Sequence, residues 1–268
     1  MMDKIQSHVL QGLIITGNEE PNIARVLDKL TWLEKVVVVD SYSTDRTPDI
    51  IMSYPNTEIH YRKFDSFARQ CNFGLRLLTS SWVLSLDADY VLTDEFIAEA
   101  RDLIALDDRS RSAYNASFKF LIYGRELISN NTTPRPVLFR RDAAVYIDDG
   151  HAHRLELTGR SGNFRYPILH DDRKSLSRWL TNQDSYSLKE CAKLLDPSNP
   201  SSRTTLNRIR RTKVLAPFLV FFFLDFNWVA GDEVAGRRRP SPRPSPAKVE
   251  EGEEGRMSTT SSSTSFDN

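Results

Sequence analysis

The segment EKVVVVDSYSTDRTPDII, residues 34–51, decides the fold of this chain. Four consecutive valines end at Asp40, a turn rich in Ser, Thr and Asp follows, and an apolar helix start comes after Pro48. An unbroken apolar run fits a strand that is covered on both faces, as strands of parallel sheets are. The segment therefore predicts one strand–turn–helix unit of a parallel α/β sheet.

Similar units lie on both sides of this segment. Strands are predicted over residues 13–16, 57–64 and 82–91, and helices over residues 20–33, 66–81 and 93–106. The first of these helices has apolar residues at helical spacing from Ile23 to Leu33, with Pro21 near its start, where proline is tolerated. The first ~110 residues thus predict one α/β unit with crossover helices.

The rest of the chain has a different character. Residues 112–170 predict shorter strands with mixed patterns, and residues 172–195 predict an amphipathic helix. From about residue 231 the chain is rich in Pro, Ser and charge and nearly free of large apolar residues. We expect this tail, residues 231–268, to be disordered.

The composition restricts the class of protein. Apolar residues make up 40% of the 268 residues and the formal net charge is zero, so nothing global favours a nucleic-acid partner. The two cysteines, Cys71 and Cys191, have no metal-type spacing and suit a reducing compartment. The N-terminus lacks the long apolar core of a signal peptide, so we expect a cytoplasmic protein.

Two acids follow the apolar run in SSWVLSLDADYVLTDEF, residues 80–96. In an extended segment Asp87 and Asp89 would point the same way, and paired carboxylates suit a divalent cation such as Mg²⁺ or Mn²⁺. A magnesium ion held by one or two carboxylates completes its shell with water and substrate phosphates. The pair therefore predicts a phosphate-bearing substrate.

Three polar clusters follow the three clearest strands, at residues 16–20, 40–45 and 87–89. If these strands are parallel, the clusters meet at one edge, where open α/β sheets bind their ligands. Asn18 and Asp40 have an equally good interpretation as turn or cap residues. Asp45 and Asp94 fit helix caps better than ligands.

These clusters belong to three segments that resemble the signatures of family 2 glycosyltransferases with the GT-A fold: IITGNEEPNI, VVVVDSYSTDRT and WVLSLDADYV. Three later segments resemble the branch that includes lipopolysaccharide-core glucosyltransferases: RPVLFRRDAAVYIDDGHAHRLEL, ILHDDRKSLSRWL and VLAPFLVFFFL. The resemblance covers roughly residues 8–228. The Asp-x-Asp motif alone is weak evidence, but the ordered set is specific.

The resemblance implies an α/β fold in which a Rossmann-like mixed sheet is flanked by helices and followed by amphipathic helices. Residues 1–230 would form one domain, with a nucleotide-sugar-binding half over residues 1–110 and an acceptor half over residues 111–230. The resemblance also implies that the chain transfers a sugar with inversion at the anomeric carbon. The donor would be a hexose such as glucose linked to UDP. The acceptor would be a saccharide or lipid-linked saccharide in cell-envelope or lipopolysaccharide biosynthesis.

The resemblance further implies roles for individual residues. The nucleoside would be held by Thr16, Asn18, Glu20 and Asp40. Asp87 would face the ribose side, and Asp89 would reach the metal with Asp87 beside it. His170 has two interpretations: it would complete the metal site, or it is a structural histidine, as lone histidines more often are. Arg69 has two interpretations, a nucleotide contact or a side chain on a solvated helix face.

An inverting transfer needs a base for the acceptor hydroxyl. Asp148 and Asp149 in YIDDGHAHRL are the candidates, and Asp149 is preferred. The alternative for either acid is a turn cap before Gly150. His153 in the same segment is interpreted as a surface residue.

Residues 214–224, VLAPFLVFFFL, follow a basic stretch and supply about half the ~20 residues that a spanning helix needs. One interpretation is an interfacial helix on the inner face of the cytoplasmic membrane. The other is a core helix that covers the catalytic domain.

Two other functions remain open from the sequence. SLDADYVL also fits the Asp-x-Asp motif of haloacid-dehalogenase-type phosphatases, but two strand–helix units precede it and the later acid cluster of those enzymes is missing. The second alternative is a GT-A-fold protein that binds a nucleotide sugar or saccharide without turnover. The departure of the tail from the family pattern keeps that alternative open.

Overall fold

The structure is a computed structural model of the chain that describes residues 6, 8–127, 133–149 and 152–195. All of them lie within the compact unit that runs from Met1 to Val220. The first half contains β1 (Leu10–Thr16), α1 (Ile23–Asp28), β2 (Val36–Asp40), α2 (Thr47–Met52), β3 (Thr57–Tyr61), α3 (Phe67–Leu77), β4 (Trp82–Asp87), β5 (Tyr90–Val91) and α4 (Asp94–Leu106). The second contains β6 (Arg111–Ala116), β7 (Phe118–Ile122), β8 (Arg125–Glu126), β9 (Arg135–Arg140), a 3-10 turn (Arg141–Ala143), β10 (Ala144–Asp149), β11 (Ala152–Leu157), β12 (Arg160–Asn163), β13 (Ile168–His170) and α5 (Leu176–Leu195).

The central sheet has seven strands in the order β12-β6-β9-β4-β1-β2-β3. Strand β1 lies between β4 and β2 and is parallel to both, and β3 continues the parallel part. Strand β9 is antiparallel to its neighbours β4 and β6, so the sheet is mixed. A four-stranded sheet (β5-β13-β7-β8) and the β10–β11 hairpin complete the architecture. The predicted mixed α/β fold is confirmed.

Two apolar clusters cover the two faces of the central sheet. Successive residues of a strand point to opposite faces, and β2 follows this rule: Val36 and Val38 belong to one cluster, Val37 and Val39 to the other. All four valines are fully buried. The valine run is therefore a strand covered on both sides, as its sequence predicts.

Helix α1 is shorter than its sequence pattern predicts. It ends at Asp28, although the apolar spacing continues to Leu30 and Leu33, which are both buried. Tight turns replace the last helical turns, because the amides of Lys29, Leu30 and Leu33 donate to carbonyls three residues earlier. The side chain of Asn56 donates to the carbonyls of Leu30 and Leu33 at 3.0 and 3.1 Å and holds these turns.

Two of the helices beside the parallel strands, α3 and α4, begin at side-chain caps. Ser66 accepts from the amide of Arg69 at the start of α3, and Thr93 accepts from the amide of Phe96 at the start of α4. Each cap satisfies an amide that has no partner within the helix. Thr93 rather than the predicted Asp94 caps α4, because Asp94 is already the first residue of the helix and forms an ion pair with Lys29 at 2.7 Å.

None of the helices in the described ranges is long and apolar enough to cross a membrane. Residues 214–224 and the tail from residue 231 lie outside those ranges.

Candidate functional site

The carboxyl ends of β1, β2 and β4 meet at one edge of the sheet. Thr16 is paired with Asp40 across β1 and β2, and Ile15 is paired with Asp87 across β1 and β4. This parallel register brings the three predicted polar clusters together, as expected from the sequence. Thr16 Oγ1 is buried at this edge and has no hydrogen-bond partner in the described part of the chain.

The loops after β1 and β2 are joined by hydrogen bonds. The amide of Asn18 donates to Ser43 Oγ at 2.7 Å, and Asn18 Oδ1 accepts from the amide of Thr44 at 2.7 Å. Asp40 accepts from the amide and the hydroxyl of Ser43 at 2.8 and 2.5 Å. Asn18 adopts a left-handed backbone conformation with φ of 58°, which asparagine tolerates better than most residues. Asn18 and Asp40 therefore shape these loops, as the turn interpretation predicts.

Glu20 and Asp45 complete the same loop contact. The amide of Glu20 donates to Asp45 at 3.2 Å, and Glu20 Oε2 accepts from the amide of Arg46 at 3.2 Å. Asp45 also accepts from the amide and hydroxyl of Thr47, the first residue of α2, at 3.0 and 2.6 Å. Asp45 thus stabilises the start of α2, as its sequence position predicts.

Asp89 and His170 form a pair beside this edge. Asp89 lies in the turn between β4 and β5, and His170 ends β13, where it is paired with Tyr90 of β5. His170 Nε2 lies 3.2 Å from Asp89 Oδ2. The His170 ring packs against the rings of Tyr90 and Phe120, with centroids 5.2 and 4.6 Å away. These contacts bring together two residues that are far apart in sequence.

The two partners shift each other's pKa. Burial alone would raise the pKa of Asp89, but the hydrogen bond and charge of His170 lower it below its usual value. Burial alone would lower the pKa of His170, but Asp89 raises it above its usual value. Both shifts favour an ion pair between a carboxylate and an imidazolium.

The pair fits a divalent cation with a partly open shell. It supplies one carboxylate and one imidazole, and His170 Nδ1 is buried without a partner among the described residues. No group of three or more His, Cys, Asp or Glu residues that could hold a metal occurs in the described ranges. Water and substrate phosphates would therefore supply the remaining ligands. A ligating imidazole must lose its proton, so cation binding would replace the hydrogen bond between the two side chains.

Asp87 has different neighbours from Asp89. The strand ends at Asp87 and Asp89 lies in the following turn, so the expectation that both acids point the same way along one extended segment is not met. Asp87 hydrogen-bonds to the hydroxyl of Tyr90, whose pKa is raised mainly by burial. The charge of Asp87 also acts on His170 and His153. Asp87 thus lies between the Asp89–His170 pair and the β10–β11 hairpin.

Glu19 and Lys174 form an ion pair that the sequence did not reveal. Lys174 Nζ lies 2.6 Å from Glu19 Oε1, and both side chains are almost entirely buried. Burial alone would lower the pKa of Lys174, but Glu19 and Asp172 raise it, and Asp89 adds to this effect. The sequence offers two weak indications of this pair. Glu19 is next to Glu20 in the loop after β1, and Lys174 follows His170 by four residues.

Arg69 lies in the first turn of α3 with an exposed side chain. Its guanidinium is 3.6 Å from Asp65, and 70% of the side chain is accessible to solvent. This position fits the interpretation of Arg69 as a side chain on a solvated helix face. A contact between Arg69 and the nucleotide stays a prediction.

The candidate base Asp148 lies on the β10–β11 hairpin, which is attached to α3. Ser66 Oγ donates to Asp148 Oδ2 at 3.1 Å. Asn72 of α3 donates to the carbonyl of Tyr146 at 2.7 Å and accepts from its amide at 3.0 Å. Asp149 ends β10 opposite Ala152, and its side chain lies outside the described part of the structure, as does His151.

His153 is not the surface residue that the sequence suggests. It is half-buried, and its ring packs against Phe67 and Tyr146 with centroids 5.8 and 5.1 Å away. Burial lowers its pKa, although Asp87 and Asp148 act in the opposite direction. His153 is also paired with Asp148 across the hairpin, so it lies beside that candidate base.

Comparison with known proteins finds a family match for part of the chain. Residues 13–126 match the model of glycosyl transferase family 2. An uncharacterized glycosyltransferase of Rickettsia bellii (strain RML369-C) is 30% identical over 136 residues, which are 50% of this chain and 44% of that protein. The lipopolysaccharide core biosynthesis glycosyltransferase LpsC of Rhizobium meliloti (strain 1021) is 29% identical over 103 residues, 37% of this chain and 38% of the other. The aligned part spans less than half of either relative.

A solved structure shows the same architecture. The mannosyltransferase PcManGT from Pyrobaculum calidifontis was solved in complex with GDP-Man and Mn²⁺. The match covers 85% of this chain and 76% of that chain, with a TM-score of 0.50 and 17% sequence identity. At this identity the likeness concerns the fold alone. The family match favours the glycosyltransferase interpretation over the phosphatase one. Residues 13–126 therefore resemble glycosyl transferase family 2, and the fold of the chain is that of the GT-A glycosyltransferases.

Proposed function

We propose that this chain transfers a sugar from a nucleotide-sugar donor to a saccharide or lipid-linked saccharide, with inversion at the anomeric carbon. The observation that carries the proposal is the Asp89–His170 pair, 3.2 Å apart, beside the edge where β1, β2 and β4 end. In open α/β sheets this edge binds the ligand. A carboxylate–imidazole pair beside it suits the metal–diphosphate part of such a donor.

The donor nucleoside would lie over the ends of β1 and β2. Thr16 Oγ1 offers an unpaired hydroxyl there, and the carboxylate of Asp40 is held in place by Ser43. Asn18 and Glu20 keep the two loops together, and in our proposal their remaining polar atoms face the nucleoside. Asp87, at the end of the neighbouring strand β4, takes the ribose side.

Asp89 and His170 would hold Mg²⁺ or Mn²⁺, with Asp87 close by. When bound, the cation supplies Lewis-acid stabilisation of the departing nucleoside diphosphate. PcManGT was solved with Mn²⁺, which supports a divalent cation in this chain. Lys174 adds positive charge close to Asp89.

The acceptor would bind between the metal pair and the β10–β11 hairpin. Asp148 or Asp149 would take the proton of the acceptor hydroxyl as it attacks the anomeric carbon. Asp148 is exposed and accepts a hydrogen bond from Ser66.

The similarity to LpsC supports a role in lipopolysaccharide or envelope biosynthesis. We therefore propose a hexose donor such as UDP-glucose and a reaction in the cytoplasm, on the inner face of the membrane if residues 214–224 bind there.

The test is release of nucleoside diphosphate by the full chain. A thermal-shift screen over nucleotide sugars with Mn²⁺ first identifies the donor, because a ligand of the folded state raises the melting temperature. Transfer to a saccharide acceptor is then measured with that donor. We expect release that depends on Mn²⁺ and is lost in Asp89→Ala.

The exposed Asp102→Ala variant on α4 is the control and should behave as wild type. Donor binding without release, even with acceptor supplied, would support a non-catalytic binding protein instead. Metal-dependent phosphatase activity without release would support the phosphatase alternative.

A further inference from the structure

Asn22 is completely buried at the start of α1, and all hydrogen-bonding positions of its amide are used. Its Nδ2 donates to Glu19 Oε2 at 2.8 Å and to Asp172 Oδ1 at 2.9 Å. Its Oδ1 accepts from Arg25 Nη2 at 2.7 Å and from the amide of Arg173 at 2.8 Å. An asparagine side chain has two donor hydrogens and two acceptor lone pairs, so this one is saturated.

These bonds join two segments that are distant in sequence. Glu19 and Arg25 belong to the loop after β1 and to α1, whereas Asp172 and Arg173 belong to residues 171–175, which connect β13 to α5 and which we name the strap. The bond to Asp172 spans 150 positions of the chain, and the bond to Arg173 spans 151. One buried side chain thus fixes the strap to the first strand–helix unit.

Two ion pairs support this contact. Lys174 Nζ pairs with Glu19 at 2.6 Å. Arg25 Nη1 pairs with the carboxylate of Asp171 at 3.0 Å, and its Nη2 donates to the carbonyl of the same residue at 2.6 Å. The Asp171 side chain is 6% exposed, so this pair has little competition from water.

The strap begins directly after His170. The amide of Asp171 donates to the carbonyl of Asp89 at 3.3 Å, beside the side-chain contact between Asp89 and His170. Any shift of the strap would therefore move the imidazole relative to the carboxylate. Groups that hold a metal ligand in place typically affect metal affinity by 10–100-fold.

We propose that Asn22 is a positioning residue for the cation site, which it serves by fixing the strap and so the imidazole of His170 against Asp89. This inference rests on the proposed function, because it takes Asp89 and His170 as the metal ligands. In this proposal Asn22 contacts neither the cation nor the donor. The buried Glu19–Lys174 pair has the same positioning role, because it also holds the strap against the loop after β1.

The test measures binding of Mn²⁺ alone to the metal-free full chain by calorimetry, in wild type, Asn22→Ala and Asn56→Ala. Asn56 is the matched control, since it is also a buried asparagine that donates to two carbonyls, but it holds the turns after α1. We expect Asn22→Ala to weaken Mn²⁺ binding by ~10-fold or more. Asn56→Ala should lower the melting temperature and leave the Mn²⁺ affinity within about twofold of wild type.

Hydrogen exchange in the metal-free chain gives a second readout. Asn22→Ala should speed exchange at the amides of residues 171–174 by at least ~10-fold, whereas Asn56→Ala should not. If Asn22→Ala does not fold, Asp172→Ala keeps the asparagine and removes the bond to Nδ2, the bond from the amide of Lys174 and the ion pair with Lys174. It should change Mn²⁺ affinity, and exchange at residues 171–173, in the same direction. Equal Mn²⁺ affinities in the Asn22 and Asn56 variants, or unchanged exchange in the strap, would overturn the proposal.

The same experiment separates the two possible failures. If wild type binds Mn²⁺ and His170→Ala weakens it, but Asn22→Ala does not, only the positioning role is lost. If wild type binds no Mn²⁺, or binds it independently of His170, the proposed cation site is wrong and the positioning role falls with it. The release assay described above then decides whether transfer itself survives.

Discussion

Two carboxylates with proposed roles in one reaction lie in different surroundings. Asp89 follows a central strand of the seven-stranded sheet, its side chain is 15% exposed, and it contacts His170. Asp148 lies on a two-stranded hairpin, is exposed, and accepts a hydrogen bond from Ser66. The first position is fixed by a buried sheet edge and by the strap, whereas the second depends on the contact between a hairpin and α3.

The two halves of the site are stabilised by different contacts. A hairpin alone is marginally stable in water, so β10–β11 depends on its packing against α3. The donor side has buried ion pairs and a saturated asparagine in addition to the sheet. Substitutions on the donor side should therefore affect cation and donor binding, and those on the hairpin should affect transfer alone.

The largest effect is expected for Asp89→Ala. Loss of the cation's carboxylate removes the stabilisation of the leaving diphosphate, and we expect kcat/KM to fall by ~10³-fold, about 4 kcal/mol. Steady-state release of nucleoside diphosphate measures it. Activity within tenfold of wild type at saturating Mn²⁺ would show that Asp89 is not the ligand.

Asp148→Asn and Asp149→Asn test which residue of the hairpin is the general base. Removing the general base should lower kcat by ~10²-fold or more, and the other variant should keep most of the activity. Mn²⁺ binding should stay unchanged in both, because neither residue belongs to the cation site. If both variants transfer sugar normally, the base lies elsewhere.

Asn72→Ala tests the attachment of the hairpin to α3. It removes the partners of the amide and carbonyl of Tyr146. Leaving buried backbone groups unpaired should cost about 1–3 kcal/mol of unfolding free energy. Urea unfolding and hydrogen exchange of residues 144–149 measure the effect.

Asn163→Ala is the control for this variant, since within the described ranges that exposed side chain makes a single hydrogen bond, which it accepts from Asn115 at 3.1 Å. Exchange that rises across the central sheet as much as in the hairpin would contradict a local role for Asn72.

The smallest effect is a pH dependence that arises in the strap. Burial alone would raise the pKa of Asp171, but hydrogen bonds and charges from Arg173, Gly124 and Arg25 lower it below its usual value. A carboxyl whose folded-state pKa is lowered stabilises the fold above its unfolded pKa of about 3.9, and this contribution is lost as pH falls through the folded value.

We therefore expect the free energy of unfolding to fall below about pH 4 and to fall less steeply in Asp171→Asn. Urea midpoints between about pH 3 and 6 measure this dependence. Equal slopes in wild type and variant would assign the acid sensitivity to other groups.

The sequence predicts the parallel part of the sheet well because its signals are local. The valine run before Asp40 and the polar turns after β1 and β4 can be recognised within a few residues of one another. The prediction that His170 is a partner of Asp89 comes from the family resemblance, because no local sequence pattern relates the two residues.

The contacts that complete the site could not be predicted in this way. Asn22 meets Asp172 only because β13 pairs with β5 and brings the strap beside α1. Asp89 leaves the strand direction because a turn separates β4 from β5, and a strand pattern does not encode that turn. His153 looked exposed because its burial comes from α3, a helix that lies more than seventy residues earlier.

Strand β9 has a consequence for the synthesis of the chain. It inserts between β4 and β6, pairing Leu138 with both Leu84 and Tyr114. Until residues 135–140 leave the ribosome, β4 is an unpaired edge with an apolar sequence, and such edges invite intermolecular pairing. A nascent or truncated chain that ends near residue 110 should therefore depend on chaperones, and co-expressing residues 111–268 in trans should restore its solubility.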